Sequence, residues 1–256
     1  PPMRIIVHGG AGHTGEVQDG VETAADVGWK LLVEGADAVS AAVATVVVLE
    51  DDSRFNAGTG ACLRADGSVQ TDAAVACNDG RLGTVAVLED IANPVQVARL
   101  VMDEDFDALA GKGALDYARS RGITPATVIG SEKPWAGDTV GAVAQDSSGA
   151  IAVASSTGGV RGRLAGRVGD TPHWGGGLWT DTGVGIAATG IGEAISRRLL
   201  CFRVARMMAD GLSVQKALEW GIALYPPDII IGLIALSDTE GAGVSNSSMP
   251  WALRQD

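Results

Sequence analysis

The sequence predicts an α/β fold in a single domain spanning 1–256, with sheets that are largely antiparallel. Strand-like and helix-like runs both occur along the whole chain. Pairs of apolar, β-rich runs are joined by short turn sequences, DSSG (146–149) and DTEG (238–241), so hairpins outnumber β-α-β crossovers. A length of 256 residues suits one large domain better than two.

Taken in order, RIIVH (4–8) reads as a short strand. Val21, Ala24, Ala25, Gly28, Leu31 and Leu32 recur at helical spacing and predict an amphipathic helix over 20–34, ended by Gly35. Asp37 is placed to cap a second helix running to about Leu49, with Val39, Ala42, Val43 and Val46 on one face. Residues 62–76 form two short runs around Asp66-Gly67 and read as a hairpin. Residues 83–89 are strand-like, Pro94 opens a helix over 94–104, and 107–121 form another. GITPATVIGSEKPWAGD (122–138) holds two prolines and three glycines without periodicity and reads as a linker. Beyond it come a hairpin over 139–157, a strand at 184–190, helices at 193–209 and 213–225, and a closing hairpin over 229–248.

Composition limits the function. A formal charge of −12 would repel a phosphate backbone or an anionic bilayer, so neither nucleic acid nor membrane is expected as a partner. The basic cluster RGRLAGR (161–167) suits a small anionic group such as a carboxylate, with Arg161 and Arg163 read as solvated. Three cysteines, widely spaced and without C-x-x-C, read as free thiols in a cytoplasmic protein. No run reaches membrane-spanning length, no secretory leader is expected, and Met3 reads as a natural start.

Gly10, Gly12 and Gly15 follow the first strand as G-x-G-x-x-G. A dinucleotide site also needs an acidic residue ending a second strand about 20 positions on. Glu34 lies at that distance but ends a helix, and Glu50 is too far, so no organic cofactor is expected. His8, His13 and His173 lack metal-ligand spacing, and no G-x-S-x-G elbow is present. A hydrolase can do without histidine when a terminal α-amine, with pKa near roughly 7.7–8.0, serves as base for a Thr, Ser or Cys on the same residue. AGDTVGAV (136–143) offers such a place, where Asp138-Thr139 marks the change from irregular chain to strand.

IVHGGAG (6–12), LEDDSRFNAGTG (49–60), DTVGAVA (138–144), SSTGG (155–159), GRVGDTP (166–172), ATGIGE (188–193) and SSMPW (247–251) occur in order. Together they resemble the plant-type asparaginases, or isoaspartyl peptidases, of the N-terminal-nucleophile hydrolases. The resemblance implies an αββα sandwich made as a precursor that cuts itself between Asp138 and Thr139 into an α piece (1–138) and a β piece (139–256). It implies hydrolysis of L-asparagine or β-aspartyl peptides through a Thr139 acyl-enzyme, with Thr157 bonding the nucleophile and Thr189 and Gly190 as the oxyanion hole. Arg167 would take the substrate's α-carboxylate, and Asp170 and Gly192 its α-ammonium. Gly9, Gly10 and Gly12 would adopt unusual dihedrals beside the scissile bond, and Asn56 would help place Thr139. The loop carbonyls of Leu49, Glu50, Asp52, Phe55, Ala57 and Thr59 would hold a structural sodium ion, and the assembly would be a homodimer of αβ units. Three features depart from the pattern: a short linker, a short stretch between the glycine loop and Asn56, and Asp138 where this branch more often has Gly. Asp-Thr is the junction of the glycosylasparaginase and taspase branches, so a glycosylasparaginase-like activity is the alternative, with a non-enzymatic amino-acid-binding protein behind it.

Overall fold

The computed structural model describes residues 1–13, 16–132 and 139–256. The elements run β1 (Arg4–His8), α1 (Gln18–Val33), α2 (Ala38–Asp51), β2 (Thr71–Cys77), β3 (Leu82–Leu88), α3 (Pro94–Val101), β4 (Ala108–Ala110) and α4 (Gly111–Ser120). After the linker come β5 (Val140–Gln145), β6 (Ile151–Thr157), β7 (Leu178–Asp181), β8 (Val184–Gly190), α5 (Gly192–Arg198), α6 (Leu200–Ala209), α7 (Val214–Ala223), β9 (Ile231–Ser237), β10 (Gly241–Ser245) and β11 (Trp251–Gln255). No helix among the described residues is long and apolar enough to cross a membrane.

Two sheets stack face to face. One has the order β11-β1-β5-β6-β2-β3-β4, the other β10-β9-β8-β7. Every pairing is antiparallel except β3 with β4. Ile6, Ala74, Val143, Val153, Leu178, Ala187, Ile234 and Leu236 fill the space between the sheets. The outer face of the larger sheet is covered by α1–α4, and that of the smaller by α5–α7, each over its own apolar cluster. The layers are therefore αββα. Strands β2, β5 and β6 are buried on both faces, which is why TDAAVAC, VGAVAQ and IAVASST read as near-continuous apolar runs without alternation.

Local chemistry sets several boundaries. Asp37 caps α2 by accepting from Ser40 N at 2.7 Å, and Asp146, in the β5–β6 turn, accepts from Ala38 N at 2.9 Å. Asn93 gives α3 no side-chain cap; the Oε1 of Glu50 accepts from Val95 N at 3.0 Å instead. Burial outweighs the helix N-terminus there and raises the Glu50 carboxyl to about 8, so it is largely protonated at neutral pH.

Three expectations are corrected. Asp66-Gly67 does form a turn, with Gly67 at φ +82°, but residues 62–66 do not form a strand paired with β2, both of whose edges are taken by β3 and β6. The hairpin partner of β2 is β3, joined at Asn78–Arg81. The helix over 193–209 is broken at Leu199, which is left-handed at φ 49°, ψ 54°. Residues 108–110 pair with β3 before α4 begins at Gly111. The linker is irregular through 130, and its continuation over 133–138, with Asp138, lies outside the described residues, as does Gly15.

Two helical glycines give a direct test of packing against propensity. A Cβ at Gly28 of α1 would stand 2.1 Å from Thr45 Oγ1 and 2.3 Å from Ile5 Cδ1, whereas one at Gly113 of α4 meets nothing. Helix propensity alone favours alanine by about 0.8–1 kcal/mol at either site. Gly113→Ala is expected to raise the thermal midpoint. Gly28→Ala is expected to lower it, because overpacking costs about 1–3 kcal/mol and exceeds the propensity gain. Calorimetry on the two variants checks the opposite signs.

Candidate active site

Strand ends from both sheets converge on one small cavity. In the β5–β6 ladder Val140 faces Ser156, so the same register sets Thr139, one residue before β5, opposite Thr157 at the end of β6. On the other side of β6, Asp72 faces Thr157. Strand β8 of the second sheet ends at Gly190. The cavity is lined by Thr139, Thr157, Gly159, Val160, Arg167, Gly169, Asp170, Gly190 and Gly192. Six residues proposed from the sequence thus share one site.

Thr139 is buried, and its Oγ1 lies 3.4 Å from Oγ1 of Thr171, a fully buried residue the sequence reading did not single out. Thr157 Oγ1 accepts from Gly159 N at 3.0 Å, bonding its own turn. Thr189 Oγ1 accepts from Ala11 N at 3.1 Å, which leaves its own proton free to donate. At Gly190, φ is +131° and a Cβ would strike the Ile230 carbonyl oxygen at 2.1 Å, so only glycine fits.

The glycine loop is stapled to the chain's last turn: Gly9 N donates to Pro250 O at 2.9 Å and Gly12 N to Ser248 O at 2.7 Å. Gly10 (φ +108°) and Gly12 (φ +87°) have the unusual dihedrals expected of them. Gly9 does not. It is glycine for space, since a Cβ would sit 2.5 Å from Phe55 Cε1. His8 Nδ1 accepts from Gly10 N at 3.2 Å, and burial lowers this histidine to about 3, so it stays neutral.

Asn56 is fully buried in the 49–60 loop. Its Nδ2 donates to Gly159 O at 2.7 Å, its Oδ1 accepts from Cys62 N at 3.0 Å, and its carbonyl accepts from Gly158 N at 2.9 Å. It therefore holds the turn after Thr157. In the same loop the carbonyls of Glu50, Asp52 and Ala57 each accept one internal hydrogen bond, from Thr59 Oγ1, Phe55 N and Gly60 N. A carbonyl oxygen has a second lone pair, so these bonds leave room for a hard cation. Gly58 and Gly60 have no space for a Cβ, which gives the loop its tight curl. No cluster of His, Cys, Asp or Glu suited to a metal occurs among the described residues, and a cage of backbone oxygens would contain none.

The charged wall rests on a third acid, Glu193. Arg167 does not pair directly with Asp170. Its Nε and Nη2 donate to Glu193 Oε1 and Oε2 at 2.9 and 2.8 Å, and its hydrogen bonds hold the Glu193 carboxyl down at about 2. Two of the guanidinium's donor atoms are thus engaged, leaving Nη1. Asp170 is buried, its Oδ2 has no hydrogen-bond partner, and burial raises its carboxyl to about 7 against the pull of Arg167. A Cβ on Gly192 would press to 2.8 Å on Asp170 Oδ1 and 3.0 Å on Arg167 Nη2, so glycine there keeps this corner open. Behind them Asp72 accepts from Val87 N at 2.8 Å and Gly169 N at 3.4 Å, and burial raises its carboxyl too. Glu193 was within the quoted ATGIGE motif, three residues after Gly190, and an acid at a helix's first turn was the available signal for it.

Comparison with known proteins gives matching results over almost the whole chain. Residues 2–133 and 125–255 match the family model described as asparaginase. An isoaspartyl peptidase/L-asparaginase of Danio rerio is 38% identical, over 98% of this chain and 92% of its own length. One from Homo sapiens is 35% identical, over 100% of this chain and 94% of its own. A plant-type L-asparaginase of Pyrobaculum calidifontis is 36% identical, over 91% and 89%.

Glu193→Ala would strand the Arg167 guanidinium, whose side chain is only 14% exposed. Leaving a buried donor group without its partner costs about 1–3 kcal/mol. Urea unfolding should show that loss, and Glu193→Gln should recover part of it.

Proposed function

The chain belongs to the asparaginase family, a family of hydrolases, and on that premise we propose that it hydrolyses the side-chain amide of L-asparagine and of β-aspartyl peptides. The observation that carries this reading is the single cavity in which Thr139 meets Arg167, Asp170, Gly190 and Gly192. Such a site selects a ligand with a free α-carboxylate and α-ammonium and presents its β-carbonyl to a hydroxyl.

In the proposed reaction the chain first cuts itself between Asp138 and Thr139. The new α-amine of Thr139 takes the proton from its own Oγ1, and Oγ1 attacks the amide carbon. The Thr189 hydroxyl and the Gly190 N–H meet the developing oxyanion, a contribution typically worth about 10²–10³ in rate per donor. The amine then gives its proton to the leaving nitrogen, and water hydrolyses the acyl-enzyme. Arg167 holds the substrate's α-carboxylate through Nη1, the donor Glu193 leaves free. Asp170 supplies the countercharge for the α-ammonium, next to Gly192. Asn56 fixes the turn that follows Thr157, and the stapled glycine loop orients the Thr189 hydroxyl through Ala11 N.

The finer parts of this reading have their own supports. A structural sodium ion in the 49–60 loop is supported by carbonyls with lone pairs to spare, and no catalytic step passes through it. A cytoplasmic setting is supported by Cys62, Cys77 and Cys201, all free and buried. A homodimer of processed units rests on the family resemblance, and light scattering tests it.

Mass spectrometry of purified protein should find two fragments meeting at Asp138 and Thr139, and Thr139→Ala should leave one chain. An uncut wild type that still turns over substrate would overturn the terminal-amine mechanism.

The raised Asp170 carboxyl sets a pH dependence. An acid titrating near 7 is neutral below that pH and offers no countercharge to an ammonium. KM for asparagine should therefore fall as pH rises, approaching about tenfold per unit below pH 7, and level off above it. Asp170→Asn should raise KM and abolish this slope, measured by ammonia release between pH 5.5 and 8.5.

A further inference from the structure

We propose that Thr171 is a catalytic residue, the hydrogen-bond partner of the Thr139 nucleophile; this rests on the threonine-nucleophile reading above. Among the described residues its Oγ1 is the one side-chain group within hydrogen-bond distance of Thr139 Oγ1, at 3.4 Å. Both residues are buried, Thr171 completely. A buried hydroxyl without a partner costs free energy, and at 3.4 Å each of these two is within reach of the other. Thr157 and Thr189, the other hydroxyls assigned to the site, accept from Gly159 N and Ala11 N.

Thr171 is held there by more than chance packing. It directly follows Asp170, whose carbonyl accepts from His173 N at 2.8 Å. Thr171 and Pro172 are the central residues of that turn, and the proline ring stiffens it. Gly177 closes over the same corner: a Cβ there would meet Asp170 O at 2.3 Å and Thr171 Cα at 2.9 Å. Gly177 O accepts from Ala188 N at 2.9 Å, which fastens the loop to β8 just before Thr189. One short loop thus fixes the ammonium-binding carboxylate and the partner of the nucleophile at adjacent positions.

The chemistry gives the contact a direction. As Thr139 Oγ1 gives its proton to the Thr139 amine and bonds to the amide carbon, it loses the ability to donate. Thr171 then donates its O–H to Thr139 Oγ1 and keeps that proton throughout, while the carbonyl electrons pass to the oxyanion. While the proton is leaving and before the bond to carbon is complete, negative charge builds on Thr139 Oγ1, and a donor to it then is worth more than one to a neutral hydroxyl. The effect therefore falls on kcat. The same oxygen attacks the carbonyl of residue 138 in self-cleavage, so both reactions depend on Thr171.

Thr171→Val and Thr171→Ser separate this role from packing. Valine keeps the shape and loses the hydroxyl; serine keeps the hydroxyl and loses a methyl. We expect Thr171→Val to slow self-cleavage and to lower kcat for asparagine by about tenfold or more with KM within about twofold, and Thr171→Ser to stay within about threefold of wild type. Where Thr171→Val stays uncut, its self-cleavage compared with that of Thr171→Ser decides the same question, with circular dichroism monitoring the fold. An active Thr171→Val, or equal losses in both variants, overturns the proposal while wild-type activity leaves the threonine mechanism standing. A wild type that neither cuts itself nor hydrolyses any β-aspartyl substrate overturns both.

Discussion

The close stacking of the two sheets is the constraint on which the site depends. Gly185 of β8 has no room for a Cβ, which would press to 2.6 Å on both Val143 Cγ1 and Ile151 Cγ2 of the opposite sheet. Around it the interface uses alanines, Ala74, Ala76 and Ala187, where larger side chains would hold the layers apart. Because the sheets meet this closely, the start of β5 and the end of β6 in one layer reach the end of β8 in the other. Thr139, Thr157 and Gly190 can then line a single cavity. A wider gap would leave each of them on its own sheet edge, with the Thr139 hydroxyl out of reach of Gly190.

A second consequence is electrostatic. The chain carries a net −12, yet Arg64 and Arg167 lie buried or nearly so beside Asp72 and Asp170, with Glu193 at the rim. The three carboxylates are not equivalent. Glu193 is 40% exposed and doubly bonded to Arg167, so charge pairing wins and it stays ionised. Asp72 and Asp170 are fully enclosed, so desolvation wins and both are pushed up despite the arginines. The partition gives the acids different work. Glu193 is committed to orienting Arg167, while Asp170 keeps one oxygen without a partner.

What the sequence disclosed follows from how local each signal is. The Asp37 cap, the Pro94 start and the DSSG hairpin depend on neighbours within a few residues, and all appear in the structure. The false hairpin at Asp66-Gly67 shows the limit: a turn sequence fixes a turn, but whether its arms become strands depends on which sheet edges remain free. Strand β11, with Arg254 and Gln255, has little strand character of its own and is a strand because β1 offers it an edge. At the site, the family resemblance placed Arg167, Asp170 and Thr139 in one reading of the sequence. It did not disclose that Glu193 fills the arginine's fork, nor that Thr171 faces Thr139. Those contacts span 26 and 32 residues, and no periodicity marks either partner.

The topology also bears on the proposed break before Thr139. The larger sheet interleaves the two pieces: β1 from the first lies between β5 and β11 of the second, and β6 of the second pairs with β2 of the first. Arg167, Asp170, Thr189, Gly190 and the smaller sheet come entirely from the second piece. The first contributes the strands that complete the larger sheet, the Asn56 loop behind Thr157 and the glycine loop bonded to Thr189. Neither piece has a complete layer structure without the other, so the whole chain must fold before a cut at 138/139 is useful. After the cut, ladder hydrogen bonds on both sides of β1 and across β2–β6 hold the pieces together. The one local change is a new amine at the head of β5, on the residue whose hydroxyl it would activate.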